Sequence, residues 1–177
     1  AIAFGSLWAT MLPLVTAVLA LGCGLSLTGL LAHAIDIATF SPTLATLIGL
    51  GVGIDYALFV VTRHRNAIKA GRDPEAACIR ALNTSGRAVL FAGATVIVAL
   101  LGLLVLGVSF LNGVAFASAI VVLTTMTAAI TLIPALLGVI GMRVLSRKER
   151  RRLEELGPRD PKLEGVWPRW AAYLQRH

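Results

Sequence analysis

No lysine or arginine occurs in the first 62 residues of this chain. A water-soluble domain carries charge on about a quarter of its residues, so this absence excludes an ordinary soluble domain over that stretch. Charge is scarce throughout: 14% of the 177 residues are charged and 57% are hydrophobic, with a mean hydropathy of +0.84. The net charge is +7, yet all sixteen Lys and Arg lie at or after Arg63. A nucleic-acid-binding surface needs its cations on a folded polar face. Here they are segregated along the chain, and no nucleic-acid partner is expected. The two cysteines, Cys23 and Cys78, lack metal-ligand spacing. They read as small apolar side chains, and no metal is expected.

Catalytic constellations are missing as well. His33 falls at a membrane edge, His64 in a basic stretch, Ser85 in a turn and Asp36 in a loop where capping suits it. None forms a Ser/His, paired-Asp or metal-ligand set, so the chain reads as a non-enzyme. The run "GLGVG" follows no strand and has G-x-G-x-G spacing, which is not a dinucleotide fingerprint; no cofactor is expected. The chain begins "AIAFGSLW", without Met or a charged n-region. That is not a signal peptide, and the chain reads as a piece of a longer protein.

What is present is apolar length. A transmembrane helix needs about 20 mostly apolar residues, and four stretches qualify: about Leu7–Leu31, Thr43–Thr62, Ala88–Leu106 and Leu111–Met142. The last is long enough to tilt or to run past the bilayer. Small residues recur along them, including Gly22, Gly24 and Gly29, then Gly49, Gly51 and Gly53, then Gly93. Small residues let helices approach closely in lipid, so a packed bundle is expected. The fold class is an all-α membrane protein with four transmembrane helices, a cytoplasmic amphipathic loop helix and a C-terminal interfacial helix. Residues 1–142 form the bundle and 143–177 a basic linker with the interfacial helix. The positive-inside rule puts Arg63–Arg87 and the tail from Arg143 in the cytoplasm of a multi-pass cell-membrane protein, with both ends of this piece cytoplasmic. Arg63, Arg65 and Arg87 read as snorkelling anchors on anionic headgroups.

The loop "AGRDPEAA" carries a helix stop at Gly71, an N-cap at Asp73 and Pro74 at the first helical position. A short helix from about Pro74 to Leu82 follows, with Ala77, Cys78 and Leu82 on one face. In the tail, Trp167, Trp170 and Tyr173 stand at i, i+3 and i+6, an interfacial pattern. It suits either a surface helix that ends the protein or the lead-in to another span.

One residue breaks the apolar pattern. In "LIGLGVGIDYALFVVTRHR" Asp55 has no charged neighbour before Arg63. It lies about twelve residues into its span, roughly 18 Å deep at 1.5 Å per residue. An acid there costs a few kcal/mol, and such acids face a bundle interior and mark ion or proton paths. The bland reading is a neutral Asp55 gluing two helices.

The stretch "LGVGIDYALFVVTRHRNAIKAGRDPEAACIRALNTSGRAVLFAGATV" resembles the MmpL-type transporters of the resistance–nodulation–division superfamily. The likeness extends back through "MLPLVTAVLALGCGLSLTGLLAHAIDIATF" and forward to "ITLIPALLGVIG". It implies that the chain covers spans three to six of the first half, with residues 1–6 ending span two and the tail leading to span seven. Such proteins have two homologous six-span halves and two extracytoplasmic porter domains, and export lipids and hydrophobic compounds using protons. The resemblance assigns Asp55 and Tyr56 to a proton relay whose other pair sits on span ten, in a second half absent here. Gly49, Gly51 and Gly53 support it by allowing close contact, and Thr95 is the nearest polar candidate on span five, with Ala92 where relatives carry a hydroxyl. The partners implied are membrane lipids, a lipid-like substrate, protons and the missing half, with further copies in an oligomer as an option. A sterol-sensing-like or scaffold module without transport is the alternative.

Overall fold

A computed structural model of the chain describes residues 7–33, 37–158 and 170. Asp36, residues 1–6, and Trp167 and Tyr173 of the expected interfacial helix lie outside the described residues. Six α-helices make up the described chain: α1 (Leu7–Leu31), α2 (Ser41–Lys69), α3 (Pro74–Ala81), α4 (Arg87–Leu101), α5 (Ser109–Ile140) and α6 (Arg147–Leu156). Four helical segments are long and apolar enough to cross a membrane: Ala9–Leu31, Ser41–Lys69, Pro74–Leu106 and Ser109–Val144.

Most threonine hydroxyls described in these spans bond one turn back along their own helices, whereas the buried Ser41, Ser85 and Ser118 hydroxyls make no such bond. Thr16 donates to the Leu12 carbonyl at 2.8 Å, Thr28 to Gly24 at 2.9 Å and Thr127 to Leu123 at 2.8 Å. Such bonds let Ser and Thr lie in hydrocarbon without an unmet polar group.

The helix α5 is the axis. Its 32 residues make it about 48 Å long, which exceeds the roughly 30 Å hydrocarbon core. The helices α1 and α2 pack on each other and on α5, while α4 rests on α5 alone and is the least covered span. The larger core lies toward the end that carries the basic residues. There Ala9 and Leu12 of α1, Val60, Val61 and Ile68 of α2, and Ile133 and Leu137 of α5 meet Ala77 and Ala81 of α3. A smaller cluster of Leu21, Ala45, Ala117 and Val121 fills the other half. At that end Phe40, the N-cap of α2, and Phe110, in the first turn of α5, meet edge to face with centroids 5.9 Å apart, and tie the starts of those two helices together.

Two boundaries differ from the sequence expectation. The second span continues through His64 and Arg65 to Lys69. Its extra turns are anchored by buried Ile68 and Ala67 packing against the chain beyond. The stop then falls at Gly71, which takes φ +82, and Asp73 caps the next helix by accepting from the Glu75 amide at 3.2 Å. The loop helix is not a separate element: it passes through a π-helical segment, Leu82–Gly86, straight into α4. Ser85 therefore lies inside that segment, buried, and not in a turn. The wider π turn shifts the helical register, which lets Ala77 and Ala81 below it and Val89 and Gly93 above it all be buried.

Candidate functional site: a mid-span acid and a buried ion cluster on one helix

Asp55 is the middle residue of the 29-residue α2, fourteen from Ser41 and fourteen from Lys69. The helix divides into two faces around it. Gly49, Gly53, Ala57, Val60 and His64 are buried, whereas Leu47, Gly51, Asp55, Phe59 and Arg63, spaced four apart, are all exposed. The second set is a single stripe along α2 that points away from α1 and α5. Asp55 therefore does not face the interior of the four-helix unit. It stands on the outer face of the four-helix unit, and it makes no hydrogen bond or ion pair with the described residues. The reason is the packing of the glycines beside it. A Cβ on Gly49 would strike Val121 and Leu21, and one on Gly53 would sit 3.2 Å from Thr125 Cγ2. These two glycines press α2 onto α5 and α1 and turn Asp55 outward.

The three glycines of "GLGVG" therefore play two roles. Gly49 and Gly53 close the bundle. Gly51 meets nothing within 4 Å and leaves open backbone one turn above Asp55. Tyr56, half-buried, leans its ring on the main core. Thr95 is exposed on α4, and its hydroxyl donates to the Phe91 carbonyl at 2.8 Å. The helix α4 makes no extensive contact with α2, so the four-helix unit does not bring Thr95 to Asp55.

A second charged feature lies about 15 Å further along α2, ten residues at 1.5 Å each. Arg65 is only 4% exposed. Its Nη2 donates to Oε1 and Oε2 of Glu149, both at 2.9 Å, and Lys69 Nζ stands 2.7 Å from Oε1. Arg65 is thus not the headgroup anchor expected of it: a residue 84 positions away takes it into the protein. Arg63 and Arg87 are exposed. Glu149 also closes the N-terminus of α6, accepting from the Ser146 amide at 2.9 Å while Ser146 Oγ accepts from the Glu149 amide at 3.2 Å. The pattern Ser-x-x-Glu at 146–149 signals that capping box in the sequence; its pairing with Arg65 has no local signal.

Burial by itself would raise the Glu149 carboxyl, but hydrogen bonds from Lys69 and the Ser146 amide, with the charges of Arg65 and Lys69, outweigh it and hold the group below its ordinary value of 4.5. A depressed carboxyl contributes stability that is present above its unfolded value and lost as pH falls through the folded one. The melting temperature of the detergent-solubilised protein should be insensitive to this pair from about pH 8 to pH 5 and fall below that. A Glu149→Gln variant should lack this acid-dependent component.

His33, at the end of α1, is exposed, with Nδ1 3.1 Å from the Gly29 carbonyl. His64 is fully buried against α3, where the Ala77 backbone is a polar neighbour, and neither ring nitrogen makes a hydrogen bond in standard geometry. Among the described residues no group of three His, Cys, Asp or Glu could hold a metal ion.

The sequence matches known proteins throughout. It is 42% identical over 151 residues to the membrane protein YdfJ of Bacillus subtilis, covering 85% of this chain and 21% of that protein. It is 36% identical over 141 residues to the trehalose monomycolate exporter MmpL3 of Mycolicibacterium smegmatis, covering 80% of this chain and 14% of the exporter. The mycolic acid-containing lipids exporter MmpL11 of the same organism is 34% identical over 181 residues, covering 98% of this chain and 18% of the relative. The chain thus spans about a fifth or less of the length of these relatives. The family model for the MMPL family matches residues 1–177, the whole of the sequence that builds the four spans and the outward acid, and the chain belongs to the MMPL family.

Proposed function

We propose that this chain is part of a proton-driven exporter of lipids or other hydrophobic compounds, with Asp55 and Tyr56 as one half of its proton relay. The observation that carries this reading is the mid-span carboxylate on the outer face of the four-helix unit, next to the open backbone at Gly51. A carboxylate facing acyl chains is costly at that depth. A second helix closing on the stripe Leu47–Gly51–Asp55–Phe59–Arg63 removes it from lipid and supplies the groups it lacks here. That helix comes from chain beyond this piece. Two relatives named as exporters of trehalose monomycolate and of mycolic acid-containing lipids point to lipid-like cargo.

In the orientation set by the basic residues, the ends at Arg63–Arg87 and Arg143 lie in the cytoplasm. A proton taken from the far side neutralises Asp55, which lowers the cost of its contact with the facing helix. Release of the proton to the cytoplasm restores the charge and the attraction for donors across the interface. Alternation between the two states moves α2 against its partner, and that movement is coupled to export. Tyr56 carries a hydroxyl one residue along the same helix, which takes part in holding or passing the proton. The bundle supplies the charge and the movement, with no bond-making chemistry.

The test is substrate-dependent proton flux through the full-length protein in vesicles carrying an internal pH dye. Tyr56→Phe keeps the ring that packs on the core and removes the hydroxyl. It should lower flux and export together, by a factor of about ten or more, in line with the loss of one positioned proton-transfer group. Export that proceeds at the wild-type rate without proton movement would sink the reading.

A further inference from the structure

We infer that Glu149 and Arg65 are positioning residues that clamp α6 to the end of the helix carrying Asp55, so that α2 and the chain beyond the bundle move as one body. The inference rests on the relay reading for its purpose, but its geometry stands apart from it.

Three observations carry it. First, Arg65 is on the same unbroken helix as Asp55, and no Pro or Gly interrupts α2 between Ile54 and Lys69. A displacement of the helix at Asp55 therefore reaches Arg65 undiminished. Second, the Arg65 side chain is 5% exposed. If α6 lifts away, that buried guanidinium loses the carboxylate it meets at two oxygens, and breaking a buried ion pair by removing one partner is strongly destabilising. Lys69, at 35% exposure, has water available and matters less. Third, one carboxylate serves both bodies. Glu149 binds α2 through Arg65 and Lys69 and caps its own helix through the Ser146 amide. The clamp is thus built into the helix start: the carboxylate that caps α6 is the one that holds it to α2.

The connections around α6 give the clamp its mechanical sense. The helix α5 ends at Gly141, which takes φ +53 and has nothing within 4 Å of its Cβ position. The chain then turns through Val144 and Leu145, which are buried in the shared core. Beyond them α6 touches that core through Leu153 and leaves Arg147, Lys148, Arg151 and Arg152 exposed. The axis of α6 is therefore directed by its bond to α2, not by a continuation of α5.

The experiment uses the full-length protein in vesicles, with Cys23 and Cys78 replaced by Ser and spin labels at the exposed positions Ala70 and Arg152. The wild-type pair should show one narrow distance distribution, also when Asp55→Asn is introduced. Glu149→Ala should broaden it and cut export per molecule about tenfold, the size of a coupling contribution spread over few residues. If Glu149→Ala fails to accumulate in the membrane, Glu149→Gln, which keeps the shape and removes the charge, is read instead. A narrow distribution in the Ala or Gln variant overturns the clamp, as does unchanged export alongside a broadened one. Export that survives Asp55→Asn overturns the relay reading alone, since the distance distributions decide the clamp independently.

Discussion

Asp55→Asn should leave the full-length protein folded and inserted in the membrane but reduce export to background. The exchange keeps the side-chain shape and removes its ability to ionise. Because Asp55 makes no hydrogen bond or ion pair within the described residues, the four-helix unit loses no contact. The stability change should stay within about 0.5 kcal/mol, as for substitutions that touch nothing. The functional change should be the largest of any single substitution in these four spans, because among the described residues no other acid lies at that depth: α1, α4 and α5 contain none. Asp55→Glu, which stays titratable but reaches further, should retain part of the export. The measurement is export into or from vesicles under an imposed pH gradient, normalised to protein in the membrane. An Asn variant exporting at the normal rate would place the coupling elsewhere.

Gly49→Leu should have the largest effect on folding. The hydrogen of Gly49 is all that separates α2 from Val121 of α5 and Leu21 of α1. Adding even a methyl group there requires helices to part, and overpacking of this kind costs about 1–3 kcal/mol, sometimes more. A leucine adds three further carbons at the same point. Purified Gly49→Leu should melt well below wild type or fail to accumulate. Gly51→Leu, two residues away, should melt normally, since nothing lies within 4 Å of its Cβ position. The same Gly51 variant should nevertheless lose export, because the side chain blocks close approach by the helix proposed to cover Asp55. Equal melting of the two glycine variants would contradict the packing described here. A Gly51→Leu variant with normal export would contradict the outward interface.

The clamp and the relay interface lie at different heights on the same helix. Residues 47, 51, 55, 59 and 63 form the open stripe, and Arg65 and Lys69 reach back to α6. A single rigid rod can therefore respond to a proton at its middle and hold the following chain at its end.

The sequence by itself determined four spans, their helical character and the anomaly of Asp55, because hydrocarbon leaves a backbone few ways to satisfy its amides and makes any acid conspicuous. The helix punctuation at Gly71, Asp73 and Pro74 was legible for a similar reason: those residues act on their own backbone. The tertiary structure decided which way each residue faces. Three nearby glycines look alike in one dimension, yet Gly49 and Gly53 meet α1 and α5 while Gly51 meets nothing. Arg63 and Arg65 read as equivalent anchors, yet only Arg65 is drawn inward by an acid 84 residues away. Hydropathy reports how deep a residue sits, whereas the direction it points and the distant partner it finds depend on helices that meet only once the bundle has packed.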